Sequence, residues 1–223
     1  MEIEQREKFL EAVARGVVTQ RRVRKIKKFE TQEWIMKLHY AKRMPSVSYA
    51  FGLYDNKELT GVVTYGSPAS PSLCIGVCGP EYIDIVMELN RLCLLNNKKN
   101  EASYLVSNSL KLLPRPMIVV SFADTSVNHT GYVYQACNFI YTGLSAKRTD
   151  VDTGEKHARH VKGFDPTKRV DRPQKHRYIY FLGSKKERRD LRSKLRYGEQ
   201  AYPKTVSKRY TADHKPQVQG ILF

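Results

Sequence analysis

Apolar and polar positions along the chain repeat with two different periods, and the switches between them mark the elements. In EQREKFLEAVARG, Phe9, Leu10, Val13 and Ala14 recur at helical spacing and Gly16 ends the run, which predicts a short helix before the basic stretch VTQRRVRKIKKFE. Thr31 is placed to cap a second helix, TQEWIMKLHYAKR, with Trp34, Ile35 and Leu38 on its apolar side. His39 and Tyr40 then fall at the helix exit, just before Pro45. VSYAFGLYD and LTGVVTYGS are two β-rich runs around the turn-like DNKE, which predicts an antiparallel hairpin. SPASPSLCIGVCG, rich in Ser, Pro and Gly, reads as a loop.

The second half keeps alternating between the two periods. VMELNRLCLL predicts a strand with Glu88, Asn90 and Leu92 on one face and Leu89, Arg91 and Cys93 on the other, so polar side chains enter an apolar sheet. NEASYLVSNSLKLL reads as a helix carrying Tyr104, Leu105, Leu110 and Leu113 with Asn100 as cap, and MIVVSFAD as a buried strand ending at Asp124. HTGYVYQACNF follows as a helix and FIYTGL as a strand. From Ala146 to about residue 176 the texture is polar and aperiodic, a long loop or insertion; RYIYFLG is one more strand and KKERRDLRSKLRYG a basic helix or extended arm. Helix, hairpin, strand, helix, strand, helix, strand predicts an α/β fold with a mixed central sheet flanked by helices.

Composition adds the class of partner. The 223 residues suit one main core with extensions, divided here as residues 1–45, a basic helical N-terminal extension packed on the core, 46–184, the core domain with the polar insertion near 146–176, and 185–223, a basic arm. The net charge of +17 splits into about +6, −1 and +12 over residues 1–45, 46–145 and 146–223. A neutral centre between basic ends suits a polyanion-gripping protein, with nucleic acid favoured over an acidic membrane. The clusters RRVRKIKK, KHRYIYF and KKERRDLRSKLR point to Arg21, Arg22, Arg24, Lys175, Arg177, Lys185, Lys186, Arg188 and Arg189 as contacts to double-stranded DNA. Cys74, Cys78, Cys93 and Cys137 lie in apolar surroundings and read as buried thiols. The acidic, amphipathic start and the lack of an 18-residue apolar run predict a cytoplasmic protein.

Two resemblances sharpen the picture. The order of elements and YQACNF are similar to the acetyltransferase fold known as GNAT, in which a helical tyrosine five residues before a phenylalanine lies close to the thioester of an acyl-CoA; here that tyrosine is Tyr134. NNKKNEAS stands where that family clamps the cofactor diphosphate, which implies Asn100, Glu101, Ala102 and Ser103 as cofactor-binding residues; Arg91, on the central strand, is a further candidate to bind a phosphate or a carboxylate. More closely, HYAKRMPS, GVVTYGSPASPS, ELNRL, NEASYLV, VVSFADT, the YQACNF stretch and KHRYIYFLG resemble, over about residues 38–184, the phage Mu Mom family of DNA-modification proteins. That resemblance implies a phage-encoded enzyme in the host cytoplasm. It would attach a carbamoylmethyl (acetamido) group to the 6-amino nitrogen of adenine and so shield the DNA from restriction; the alternatives are a non-enzymatic nucleic-acid-binding protein using the same basic surface, or a GNAT acetyltransferase acting on another substrate.

Individual residues carry both a structural and a chemical reading. Tyr134 either packs in the core or presents its phenol to the transferring group. Asp124, at a strand end, either caps the next helical turn or acts in the site. Glu88 either pairs with Arg91 or orients and deprotonates the amine. His39, as an acid–base or orienting group, and Tyr49 and Ser121 are further catalytic candidates. Adenine's amine is delocalised and weakly nucleophilic, so joining it to carbon needs an activated donor or redox chemistry. The cofactor is therefore expected to be an acyl-CoA-type donor or a non-haem divalent metal such as iron, the latter on His39, Asp124 and His129; His157, His160 and His176 are competing ligands.

Overall fold

The structure, a computed structural model, describes residues 20–152 and 167–204 together with Glu7 and Asp165. The helix expected over Phe9 to Gly16, His157, His160 and everything from residue 205 lie outside the described residues.

Seven strands form one sheet: β1 (Arg21–Lys25), β2 (Tyr49–Asp55), β3 (Glu58–Gly66), β4 (Val86–Leu94), β5 (Met117–Asp124), β6 (Ile140–Leu144) and β9 (Lys175–Leu182). Their order is β1-β2-β3-β4-β5-β9-β6, antiparallel throughout except for the parallel pair β4–β5. β7 (Arg148–Val151) and β8 (Arg169–Arg172) pair separately as a two-stranded ribbon. The basic stretch after the first expected helix is thus the edge strand β1. The β2–β3 hairpin turns through Asn56, whose left-handed φ of 56° suits asparagine and whose side-chain oxygen accepts from the Gln20 amide.

Helices cover both faces. On one side α2 (Glu101–Lys111) and α3 (Tyr132–Ala136) pack Leu105, Val106, Leu110 and Tyr134 against Phe51, Tyr65, Leu89, Val119 and Tyr178. On the other, α1 (Pro71–Cys78) and α4 (Lys185–Ser193) set Cys74, Val77, Cys78 and Leu191 against Val86, Ile118, Val120 and Ile179. Each fully buried aliphatic contributes roughly 1.5–3 kcal/mol. α1 occupies the segment read as a loop. Ser70 accepts from the Leu73 N–H and Pro71 fills the first turn, so the Ser and Pro that suggested a loop are the helix start. The second expected helix is instead a 3₁₀ turn (Lys28–Thr31) leading to a π-helical turn (Trp34–Leu38), and His39 leaves it in extended geometry. The four cysteines are free and buried, as expected. Among the described residues no helix is long and apolar enough to cross a membrane.

Two irregularities open the sheet at its centre. β4 and β5 pair only from Val86 with Ile118 to Leu89 with Ser121; beyond that β4 follows β3 and β5 follows β9, so the strands part. At the same level the β3–β4 register jumps from Tyr65↔Leu89 to Thr64↔Arg91, leaving Asn90 as an extra residue. One inserted residue reverses the facing of all that follow. Leu92 therefore joins Leu89 in the core cluster and Cys93 faces the opposite side, correcting the simple alternation expected. Asn90 is held in place by Thr64 at 2.6 Å and by donating to the Ser46 carbonyl at 2.8 Å.

Candidate active site

Where β4 and β5 part, residues from five elements come together. Ser121, fully buried at the last paired position, donates its hydroxyl to the Leu89 carbonyl at 2.9 Å. The Tyr134 phenol lies beside Ser121, close enough for the serine to bear on its proton affinity. Tyr134 is brought there by α3, which starts at Gly131 with φ 78°; a Cβ at Gly131 would lie 2.3 Å from the Tyr178 ring. The Tyr134 ring packs 5.4 Å from Phe139 and 5.3 Å from Tyr178. Core ring and directed hydroxyl therefore coexist in one side chain. Burial raises the phenol well above its ordinary value, so it stays a proton donor, and its oxygen feels both Tyr40 and Glu88.

Glu88 comes from β4 just before the bulge. Burial pushes its carboxyl upward against the pull of Arg91, Lys175 and the Ala69 N–H. Asp124, at the end of β5, behaves oppositely: burial alone would raise it, but Lys175 at 2.8 Å and hydrogen bonds from Ser126 hold it below the usual carboxylate range. Asp124 both caps the turn after β5 and anchors a cation, so its two readings are joined. Two carboxyls displaced in opposite directions are an arrangement that divides acid–base and orienting work.

The loop after the π-helical turn closes one wall. His39 and Tyr40 stack with ring centroids 4.5 Å apart, and His129 meets Tyr40 edge-on at 5.7 Å. Tyr40 remains 42% exposed, an aromatic surface at the mouth of the cleft, near enough to Asp124 and Arg91 for both to shift its phenol. His39 is held neutral, its pKa lowered to about 3 by burial first and then by Arg91 and His129. Its Nδ1 accepts from the Ala41 N–H at 3.1 Å, which leaves the proton on Nε2. Arg91 clips this loop to β4 through the Arg43 carbonyl, 3.0 Å from its Nη2, and spends another donor on the Asn90 carbonyl. It is a positioning residue rather than the phosphate receptor expected.

Several other expectations need correction. His39, Asp124 and His129 share the cleft but do not form a metal centre. His39 has its free nitrogen protonated, Asp124 is engaged by Lys175 and Ser126, and among the described residues no three His, Cys, Asp or Glu side chains are grouped to hold a metal ion. His176, a competing ligand, is bonded through Nδ1 to Tyr141. The start of α2 does not fit a coenzyme A diphosphate. Asn100 turns with φ 65°, and the buried Glu101 carboxylate fills the first turn, accepting the Lys98 N–H at 2.7 Å and lying 3.8 Å from Arg21. A buried negative group already lies at that helix terminus, where it would repel a diphosphate, and Ser103 turns its hydroxyl back to the Asn100 carbonyl, with Ala102 half-buried. Tyr49 packs at the core edge under Lys25, joined by no described contact to Glu88, Asp124 or Tyr134.

The basic residues divide as well. Arg21 is spent on Glu101, Lys175 on Asp124, and Arg177 on Thr142 and the Tyr197 ring, 3.4 Å away. Arg22, Arg24, Lys185, Lys186, Arg188 and Arg189 are exposed. Sequence reasoning missed Tyr40 as a site residue and Lys175 as the partner of Asp124. The first stands next to a chosen histidine; the second follows only from the β5–β9 register, which pairs Asp124 with Lys175.

The family model described as the Mom protein family matches residues 20–204. The methylcarbamoylase mom of Escherichia phage Mu is 28% identical over 186 residues, covering 74% of this chain and 76% of that protein. Among solved structures, a Bacillus subtilis acetyltransferase in complex with CoA aligns at 14% identity and a TM-score of 0.44, over 74% of this chain and 100% of the other. An N-acetyltransferase from Staphylococcus aureus aligns at 16% identity and a TM-score of 0.43, over 74% and 99%.

Proposed function

The chain belongs to the Mom protein family, and from that premise and the geometry of the cleft we propose that it is a transferase that attaches a carbamoylmethyl group to the 6-amino nitrogen of adenine in DNA, protecting it from restriction. The observation that carries this reading is the meeting, where β4 and β5 part, of an exposed aromatic surface with a buried proton donor and an elevated carboxyl: Tyr40 against His39 and His129, beside Tyr134 and Glu88.

Each part has a task in that reaction. An adenine turned out of its duplex lays its ring on Tyr40, since stacking on an aromatic side chain is the common support for an extruded base. Glu88, whose carboxyl burial makes more basic than an exposed one, takes the proton that the amine loses as its bond to carbon forms. As the bond between the carbamoylmethyl carbon and its leaving group breaks, the electron pair goes to the leaving group, and the Tyr134 phenol, kept protonated by burial, donates to the negative charge that builds there. Neutral His39 offers its Nε2–H as a hydrogen-bond donor, and the Asp124–Lys175 pair places a fixed cation beside Glu88.

The test is nucleoside mass spectrometry of DNA from a bacterium expressing the protein. The expected result is a deoxyadenosine species heavier by one carbamoylmethyl group, absent from the empty-vector control and strongly reduced with Glu88→Gln. Unmodified adenine in cells making folded wild-type protein would reject the reading.

A further inference from the structure

Between β6 and β9 the chain leaves the main sheet to form the ribbon β7–β8, which takes no part in the chemistry above. All its residues are exposed except the half-buried Val151, and Val170 is 45% exposed. The ribbon belongs to none of the hydrophobic clusters of the described residues, and two strands without an apolar underside add little to stability. Its root is nevertheless tied down firmly. The Ser145 N–H donates to the Lys175 carbonyl at 2.8 Å, the Lys175 N–H to Ser145 Oγ at 2.9 Å, the Gln174 side chain to the Ser145 carbonyl, and Thr125 to the Gln174 carbonyl at 2.6 Å. The ribbon thus springs from the residue whose ammonium holds Asp124, at the mouth of the cleft.

Its side chains are a set of donors and acceptors. Arg148 and Arg172 face each other across the ladder, Arg172 lies 3.8 Å from Asp150, and Arg169 bonds Thr149 on the other face, where Asp171 is Thr149's partner. Exposed pairs of this kind are weak and exchange readily for a stronger anion. A two-stranded ribbon fits the major groove of duplex DNA, where guanidinium groups recognise guanine edges and phosphates, and carboxylates accept from cytosine amino groups. We infer that β7–β8 enters the groove beside the target adenine with the face of Arg148, Arg172 and Asp150 toward the flanking bases, the two arginines as donors and Asp150 as acceptor, while Arg169 on the other face meets a backbone phosphate. This rests on DNA being the substrate, as proposed above.

The experiment compares binding of the full chain to a fluorescent adenine-containing duplex across a salt series. It uses wild type, Arg148→Ser/Arg169→Ser/Arg172→Ser, and a variant of equal charge loss at exposed positions elsewhere, Lys57→Ser/Lys111→Ser/Arg115→Ser. The ribbon variant is expected to lose roughly tenfold or more in affinity and about 2–3 in the slope of log affinity against log salt, at about 0.9 per phosphate contact. The second variant stays near wild type. Equal losses in the two variants, or none in the ribbon variant, overturn the assignment; should the triple variant fail to fold, Arg148→Ser and Arg172→Ser singly carry the same expectation at roughly threefold each. Nucleoside analysis of the same cells separates the two readings. Modified adenine with ribbon-independent affinity sinks the ribbon alone, and unmodified adenine with ribbon-dependent affinity sinks the reaction alone.

Discussion

Tyr134 joins two demands that compete in most side chains, filling a core and aiming a hydroxyl. Tyr134→Phe keeps the ring contacts with Phe139 and Tyr178 and removes only the hydroxyl. Fold and duplex binding should survive while modified adenine falls about ten- to a thousandfold, measured by nucleoside mass spectrometry beside a thermal melt. Full activity would return the residue to packing. Glu88 makes a prediction of opposite sign for stability. Burial raises its carboxyl, so the folded protein binds that proton more tightly than the unfolded chain, and stability drains away as pH rises through the folded value. Glu88→Gln should therefore raise the melting temperature by roughly a few degrees near pH 8. The gain should vanish below the ordinary carboxylate value of about 4.3, as paired melts at pH 4 and pH 8 will show. A gain that persists at pH 4 would remove charge burial as its cause. That Tyr134, Glu88, Asp124, Ser121 and His39 are drawn toward one region was partly legible, because polar side chains in or at the ends of apolar strands and helices need a reason. What each does was not legible, because the His39 tautomer and the Asp124–Lys175 pair depend on backbone neighbours distant in sequence.

Elements were readable where one period dominated and misleading where a cap resembled a turn. Ser70 and Pro71 belong to loops and to helix starts alike, and Cys74, Val77 and Cys78 decide the matter only once a sheet lies beneath them. The β4 bulge was invisible for a related reason. Asn90 is a plausible strand residue, and only its bonds to Thr64 and the Ser46 carbonyl show that it is the extra one. The basic C-terminal segment shows charge hiding structure. α4 has a reciprocal cap between Ser184 and Glu187 and buries Leu191, and beyond it Gln200 donates to the Tyr141 carbonyl and the Tyr202 hydroxyl to the Phe139 carbonyl. Leu191→Ala should cost about 2–4 kcal/mol in chemical denaturation. A loss under about 0.5 kcal/mol, the level of an ordinary surface change, would show that α4 is not seated on the core.

The molecule as a whole is a charged surface around a divided sheet. Net charge raised the expectation of a polyanion partner, yet it could not show that Arg21, Lys175 and Arg177 spend their charge internally while the exposed cations of α4 begin at the far end of β9 from Lys175. At about 3.3 Å per residue, β9 puts those two ends roughly 25 Å apart, so in the proposed reaction the α4 cations would hold the duplex well away from the base being modified. The division of the sheet has a consequence for motion. β1 to β4 on one side and β5, β9 and β6 on the other meet along a ladder of four residue pairs, while most other neighbouring strands of the sheet share more. Amide hydrogens at that seam should exchange faster than those of β3 or β9, so the two halves of the sheet breathe against each other and the line along which they breathe is the floor of the cleft.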